Sequence, residues 1–456
     1  GKKTLFGFLD DGGFHSWRLN GYELTDGELT IDVAGAFARK RERFRLVPRS
    51  TSAELAAEVE IARLHRANEI AEIVGRSLAV KVVRIDLNNE NGRLAHIYFE
   101  QKKQQSIALA DVTDALTPEV ILTTAILWLE KLGTRKKSPI NELRIVAESR
   151  QAKSLQKLHA LLSDRWKAKL TIAEISRKAD PPTAKDLPKR RLTELWREKT
   201  RKLNIPREPQ PSETAEKIIA LSPDKIDIVY SKQGETLRFM GLPFARVRSI
   251  LNNEKAWFGT EKDRRALMPE NWNELVDLVR QLERYRSADS ENRRHEHYRS
   301  SPEAWIESIL RRDIRLLDAN LILSPIYNQF RASNDKIDLL ALRRDGRLVI
   351  IELKAQPDRE MIFQAADYWR KIELQRRRGV LREANLFDGR EIADRPALVY
   401  LAAPALSFHR DFEFFARTIS PEIELWRFEL HEDWRREIKV LARREFRDQT
   451  FGLAKR

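Results

Sequence analysis

The stretch Lys336-Ile337-Asp338-Leu339-Leu340-Ala341-Leu342-Arg343-Arg344-Asp345-Gly346-Arg347-Leu348-Val349-Ile350-Ile351-Glu352-Leu353-Lys354 decides how this chain is read. Two strand-like runs, 336–342 and 347–355, flank Arg343-Arg344-Asp345-Gly346. Asp-Gly between apolar runs is the strongest short-range hairpin signal. Val349-Ile350-Ile351 is apolar on both faces, as a central strand covered by helices should be. Side chains alternate along a strand, so Glu352 and Lys354 project from one face. A hairpin centred on Asp345 sets Asp338 opposite Glu352, where cross-strand side chains stand about 5 Å apart. Two carboxylates that close repel unless a hard cation joins them. Mg²⁺ takes one or two carboxylates together with phosphate oxygens and water. Lys354, beside them, can hold or deprotonate a water and offset phosphate charge. This set suits phosphodiester hydrolysis assisted by Mg²⁺ or Mn²⁺.

Working outward, Ser301-Pro302 is a good helix start, and Trp305, Ile306, Ile309 and Leu310 form an apolar stripe behind it. Downstream, the pattern predicts a helix over about 359–378, a strand over 397–401, a helix near 408–417 and a strand over 422–430. The C-terminal order is helix, strand, strand, helix, strand, helix, strand.

Asp338 followed by Glu352-Leu353-Lys354 resembles the motif of the PD-(D/E)xK nuclease superfamily, the restriction-endonuclease-like fold. Within it, residues 303–369 are similar to the RecB-like and archaeal mismatch endonuclease branch. The matching pieces are Glu307 on the first helix, Gln329, Lys336-Ile337-Asp338-Leu339-Leu340, Gly346, Ile351-Glu352-Leu353-Lys354, and Gln364 with Tyr368. The resemblance covers roughly the last third of the chain. Ile337 stands where the motif has proline. The resemblance implies a mixed central sheet flanked by helices, with Asp338 and Glu352 as metal ligands and Glu307 as a further one. It also implies Lys354 and Gln364 as catalytic partners. Glu-x-Lys recurs at Glu100 and Glu437, so the tripeptide alone says little; the whole set carries the reading.

The segment 51–176 repeats the order of elements: a helix at 53–74, strands near 79–87 and 94–100, a helix at 118–132, a strand at 143–147, a helix at 150–163 and a strand at 168–175. Asp86 and Glu100-Gln101-Lys102 reproduce the spacing of Asp338 and Glu352-Leu353-Lys354. A degenerate second copy of the nuclease-like fold is one reading; an ordinary α/β domain with a coincidental spacing is the other. The turn 88–92 favours the second, since it sets Asp86 opposite residues 94–95 rather than Glu100.

The chain has 456 residues, with 84 Lys+Arg against 69 Asp+Glu and a net charge of +15. At roughly 150 residues per domain, about three domains are expected. Hydrophobic residues at 42% and charged residues at 34% exclude a disordered chain. The absence of cysteine excludes disulfides, thiolate metal sites and cysteine nucleophiles. No apolar run reaches the roughly 20 residues that span a bilayer, and no signal-peptide core opens the chain, so no membrane partner and a cytoplasmic location are expected. Proline clusters at 181–188 and 206–211 and the polar run 287–301 suggest a β-rich N-terminal segment at 1–50, an α/β domain at 51–176, a basic linker helix and middle domain at 177–287, and the nuclease-like domain at 288–456.

Two basic runs stand out. Residues 185–207 hold nine Lys/Arg against three Asp/Glu, and 370–382 hold six against one. Read as basic helix faces, they offer Lys189, Arg190, Arg191, Arg376, Arg377 and Arg378 to DNA phosphates. His295 and His297 read as solvated, and Trp196, Trp257, Trp272, Trp305 and Trp369 as core. The expectation is a multidomain α/β, Mg²⁺- or Mn²⁺-dependent DNA endonuclease. Symmetric double-strand cutting would need two sites and therefore a homodimer. The alternative is a non-catalytic nucleic-acid-binding or assembly protein that keeps the fold.

Overall fold

The computed structural model describes residues 4–8, 14–25, 28–34, 41–46, 52–87, 92–101, 104–133, 140, 142–178, 180–198, 210–231, 234–250, 253–260, 263–323 and 338–446. Gln329, Lys336, Ile337 and Lys102, and the end of the first basic run, lie outside them. The fold is mixed α/β, built on four sheets. Among the described residues no helix is long and apolar enough to cross a membrane.

An antiparallel meander opens the chain: β1 (Thr4–Phe8), β2 (Phe14–Thr25), β3 (Glu28–Ala34) and β4 (Arg41–Leu46). Its core is small, built on Trp17, Ile31 and Val33. The next unit runs α1 (Ser52–Leu78), β5 (Lys81–Asp86), β6 (Leu94–Gln101), β7 (Gln104–Asp111), α2 (Pro118–Gly133), β8 (Leu143–Glu148), α3 (Ser149–Ala160), α4 (Asp164–Lys169), β9 (Leu170–Ser176) and β10 (Thr183–Asp186). Then come α5 (Glu213–Ile219), an antiparallel sheet of β11 (Ile226–Ser231), β12 (Gly234–Phe239), β13 (Leu242–Ile250), β14 (Asn253–Phe258) and β15 (Arg265–Ala266), and helices α6 (Trp272–Tyr285) and α7 (Glu296–Arg299). The last unit is α8 (Pro302–Arg312), β16 (Leu321–Leu323), β17 (Leu339–Arg343), β18 (Leu348–Leu353), α9 (Met361–Arg377), α10 (Val380–Glu383), β19 (Leu398–Pro404), α11 (Phe412–Ala416), β20 (Leu425–Leu430) and β21 (Val440–Phe446).

The two six-stranded sheets share one topology. The order β5-β6-β7-β8-β9-β10 matches β16-β17-β18-β19-β20-β21. In both, the first three strands and the last pair are antiparallel and the third to fifth are parallel. A helix crosses between the third and fourth strands of each, and another between the fourth and fifth. The match is one strand out of step with the sequence expectation. β17 and β18 correspond to β6 and β7, because β7 had no strand signal. Its Ile107-Ala108-Leu109-Ala110 is alanine-rich, a poor β pattern that succeeds because the strand is covered on both faces.

One continuous core joins the two units, combining α2, α3 and β8 of the first with α8, α9, β18 and β19 of the second. The segments after α3 and α11 pair antiparallel. Leu162 bridges Ile419, Ser163 N donates to Thr418 O at 2.8 Å, and Ser420 N donates to Leu161 O at 2.8 Å. Corresponding segments of the two units thus meet side by side. The first unit's sheet also runs past Ser176, because β10 pairs with β9. Where a basic helix was expected there is β10 and a 3₁₀ turn, Leu192–Arg197, whose Leu192 and Leu195 are buried in the shared core.

Candidate functional site

The hairpin register follows the local pattern. Leu339 pairs with Ile351 and Leu342 with Leu348, and Gly346 takes φ +80° in the Arg344-Asp345-Gly346 loop. A left-handed glycine closing a three-residue loop keeps the strands' twist, which fixes the register. Asp338, immediately before β17, is thereby opposite Glu352 at the end of β18. Its Oδ2 accepts a hydrogen bond from Leu353 N at 2.9 Å. Glu352 is buried in the central strand. Burial pushes its carboxyl well above the ordinary carboxylate range, the Asp338 charge adds to the push, and Lys354 opposes it only in part.

Lys354 stands between three acceptors: Glu352 Oε1 at 3.2 Å, Asp358 Oδ2 at 3.0 Å and Gln364 Oε1 at 2.8 Å. Burial by itself would lower the ammonium's pKa, but Glu352 and Asp358 outweigh it and hold it above the ordinary lysine range. In this arrangement Lys354 donates protons and positive charge; it is not a base near neutral pH. Asp358 also caps α9, its Oδ1 accepting from Glu360 N at 2.7 Å and Met361 N at 2.9 Å. Asp367, one turn beyond Gln364, pairs with Arg370 at 2.7 Å and Lys371 at 2.6 Å. Burial would raise its pKa, yet the two cations hold it below the usual range.

These groups line a cleft of about 620 Å³. One wall carries Asp338, Glu352, Lys354, Gln364 and Glu303; the facing wall comes from the first unit and includes Glu119, Ser154 and Lys157. The walls are tied by Glu198, which receives Lys157 at 2.8 Å from α3 and Arg370 at 3.5 Å from α9. Sequence reasoning missed Asp358, Asp367 and Lys371. A signal was present: Asp367 and Lys371 fall three and seven residues after Gln364, on its helix face.

Several expectations are corrected. Glu307 does not reach the cleft. It is buried against the middle sheet, 3.4 Å from Arg238 and 3.6 Å from Arg311, and it is Glu303, one turn earlier, that faces the acids. Asp86 pairs in register with His96, and Glu100 with Lys81 at the other end of the strand pair. Four residues separate the two acids along β6, about 13 Å at strand rise, too far to share a cation. The basic runs converge, but largely on protein partners. Arg376 is held by Glu373 at 2.8 Å and Asp394 at 2.5 Å. Arg377 pairs with Glu373 at 3.2 Å and lies over Trp196, whose carbonyl accepts from Arg378 at 3.4 Å. Arg190 pairs with Glu198 at 3.4 Å and Lys189 donates to Ala168 O at 2.9 Å, while Arg191 is exposed. His295 is stacked on Tyr285 at 3.8 Å rather than solvated.

The donor set fits a divalent cation in one respect that the coordinates show directly. Among the described residues Glu352 Oε2 is buried with no hydrogen-bond partner, beside a second carboxylate. Among the described residues no group of three or more His, Asp or Glu is placed to hold a metal unaided. A cation here would rest on Asp338 and Glu352, with water and substrate oxygens completing its shell. Comparison with known protein families, with characterised proteins and with solved structures brings no match for this chain, so the geometry of the cleft stands as the basis for assigning a function.

Proposed function

We propose that the chain is a metal-dependent DNA endonuclease whose C-terminal unit is a restriction-endonuclease-like module working in this cleft. The observation that carries the reading is the unpartnered, buried Glu352 Oε2 beside Asp338, with the Lys354 ammonium 3.2 Å from the other Glu352 oxygen. Burying a carboxylate oxygen without a partner costs several kcal/mol, and a bound cation removes that cost. Asp338 and Glu352 would hold Mg²⁺ or Mn²⁺. Such an ion, when bound, stabilises charge on phosphoryl oxygens and lowers the pKa of water. Lys354 orients water and offsets phosphate charge, and Gln364 fixes the direction of its ammonium. The net charge of +15 favours a polyanionic substrate. Among the described residues this pair of acids occurs once, so one chain cuts one strand at a time; symmetric double-strand cutting would take a homodimer.

The test is a cleavage panel of single-stranded, duplex, branched and mismatched DNA with Mg²⁺ or Mn²⁺. It uses wild type and the Asp338→Ala, Glu352→Ala and Lys354→Ala variants, each also measured for DNA binding. Cleavage by wild type alone supports the reading, and cleavage surviving all three substitutions rejects it. Salt-dependent binding with no cleavage of any substrate would favour the non-catalytic alternative.

A further inference from the structure

The arginines clustered in sequence are mostly paired in space, but another set is not. A second cleft of about 290 Å³ is lined by Arg293, Arg294, Arg299 and Arg435 with Tyr298 and Trp434 and, among the described residues, by no acidic side chain. Arg293, Arg294 and Arg299 are exposed, and among the described residues no ion pair joins these four guanidinium groups to a carboxylate. Arg435 lies 4.2 Å over Trp434 and 4.6 Å over Tyr298, and its Nε is buried without a hydrogen-bond partner. Burial holds this guanidinium below the ordinary arginine range, and the Arg293 charge presses the same way. Four like charges gathered around a cleft, three of them exposed and one with an unused buried donor, suit an anion.

The position of the cleft narrows the choice of anion. Glu303 and Lys354 face the candidate catalytic cleft, while their chain neighbours Pro302 and Ala355 face this one. Gln356, two residues past Lys354, also lines it, so the two clefts lie on either side of the same short segment, which spans at most about 7 Å. A nucleic-acid strand carries one phosphate per about 3.4 Å of rise, so a strand lying in one cleft offers phosphates within reach of the other.

We propose that the arginine cleft binds a backbone or terminal phosphate of the polynucleotide strand close to the bond to be cut, and so sets the register of cleavage. What lies in the neighbouring cleft rests on the nuclease reading; the binding itself does not. The ligand chemistry is a phosphate, either internal to the strand or at its end.

The experiment measures binding of short fluorescent oligonucleotides to the full chain by anisotropy, without divalent metal, across a salt series. Oligonucleotides with and without a terminal phosphate are compared. Arg293→Ala/Arg299→Ala, both exposed positions, should weaken binding about tenfold or more and flatten the salt slope by about one to two. Arg280→Ala, an exposed arginine on α6, should stay within about twofold of wild type. A terminal phosphate that tightens binding to wild type but not to the double variant assigns the cleft to strand ends. Equal loss with both oligonucleotides assigns it to the internal backbone. A double variant that binds like wild type with an unchanged slope overturns the proposal, as does a wild-type chain that binds no oligonucleotide. If wild type cleaves nothing while the arginine variants still lose binding, the nuclease reading and the register role fail and the phosphate binding stands.

Discussion

The two six-stranded units have the same strand order and crossover helices, yet an acid at the end of the third strand meets a different fate in each. In the first unit β7 ends in Asp111, whose carboxylate accepts from Thr113 N at 2.8 Å, Thr113 Oγ1 at 2.7 Å and Leu116 N at 3.0 Å. Both oxygens are occupied in shaping the loop into α2. In the second unit β18 brings Glu352 to a similar place, with one oxygen on Lys354 and the other unpartnered. The lesson is that topology creates the position and hydrogen-bond satisfaction decides its use. An acid whose oxygens are filled by backbone amides is structural, while one left short beside another acid is poised for a cation.

Substituting Glu352 or Asp338 by alanine should lower cleavage by at least about 1,000-fold, whereas Asp86→Ala and Glu100→Ala in the first unit should leave rates within about twofold. Equal losses in both units, read from initial rates, would erase the distinction. Glu307→Ala should destabilise the fold by about 1–3 kcal/mol in denaturant titrations, because it removes one of the two acids around the buried Arg238 and leaves Asp227 as the other. Calorimetric Mn²⁺ affinity of the folded variant should be unchanged. A large loss of affinity would return Glu307 to the metal site.

His159 sharpens the comparison from the other side. On α3, its Nε2–H points at Lys167 O and Leu170 O, at 3.2 and 3.1 Å, and burial lowers its pKa from 6.5 to about 4. The folded value lies below the unfolded one, so the unfolded chain takes up the proton first as pH falls. Stability is full above about pH 6.5 and is lost toward pH 4, by on the order of 3 kcal/mol. Denaturation midpoints at pH 7 and pH 5 should differ less in His159→Gln than in wild type. The smallest effect belongs to Gln364→Leu, which removes the 2.8 Å acceptor from Lys354 and should slow cleavage about tenfold while leaving DNA affinity unchanged. If affinity falls in step with rate, Gln364 binds substrate instead of aiming the lysine.

Much of the candidate site was readable because its determinants are local. The Asp345-Gly346 turn and period-two alternation fix the register that sets Asp338 opposite Glu352. The helix after β18 follows from its apolar pattern and delivers Gln364 to Lys354. Glu307 misled for the opposite reason: its partner Arg238 lies 69 residues away, and no spacing rule reports a contact of that range. Strand β7 was hidden because burial on both faces overrides a weak propensity.

The amino-acid order alone determined a cysteine-free, basic, multi-unit α/β chain with two acids and a lysine gathered on one C-terminal hairpin. Only the tertiary structure decided which charges remain available. It paired Arg376 and Arg377 with Glu373, buried Glu307 in the middle sheet, and left the scattered Arg293, Arg294, Arg299 and Arg435 facing one cleft. The physical reason is range. Turns and strand alternation are set by neighbours in sequence, whereas the partner of a charge is chosen by whatever the fold carries to within about 4 Å of it.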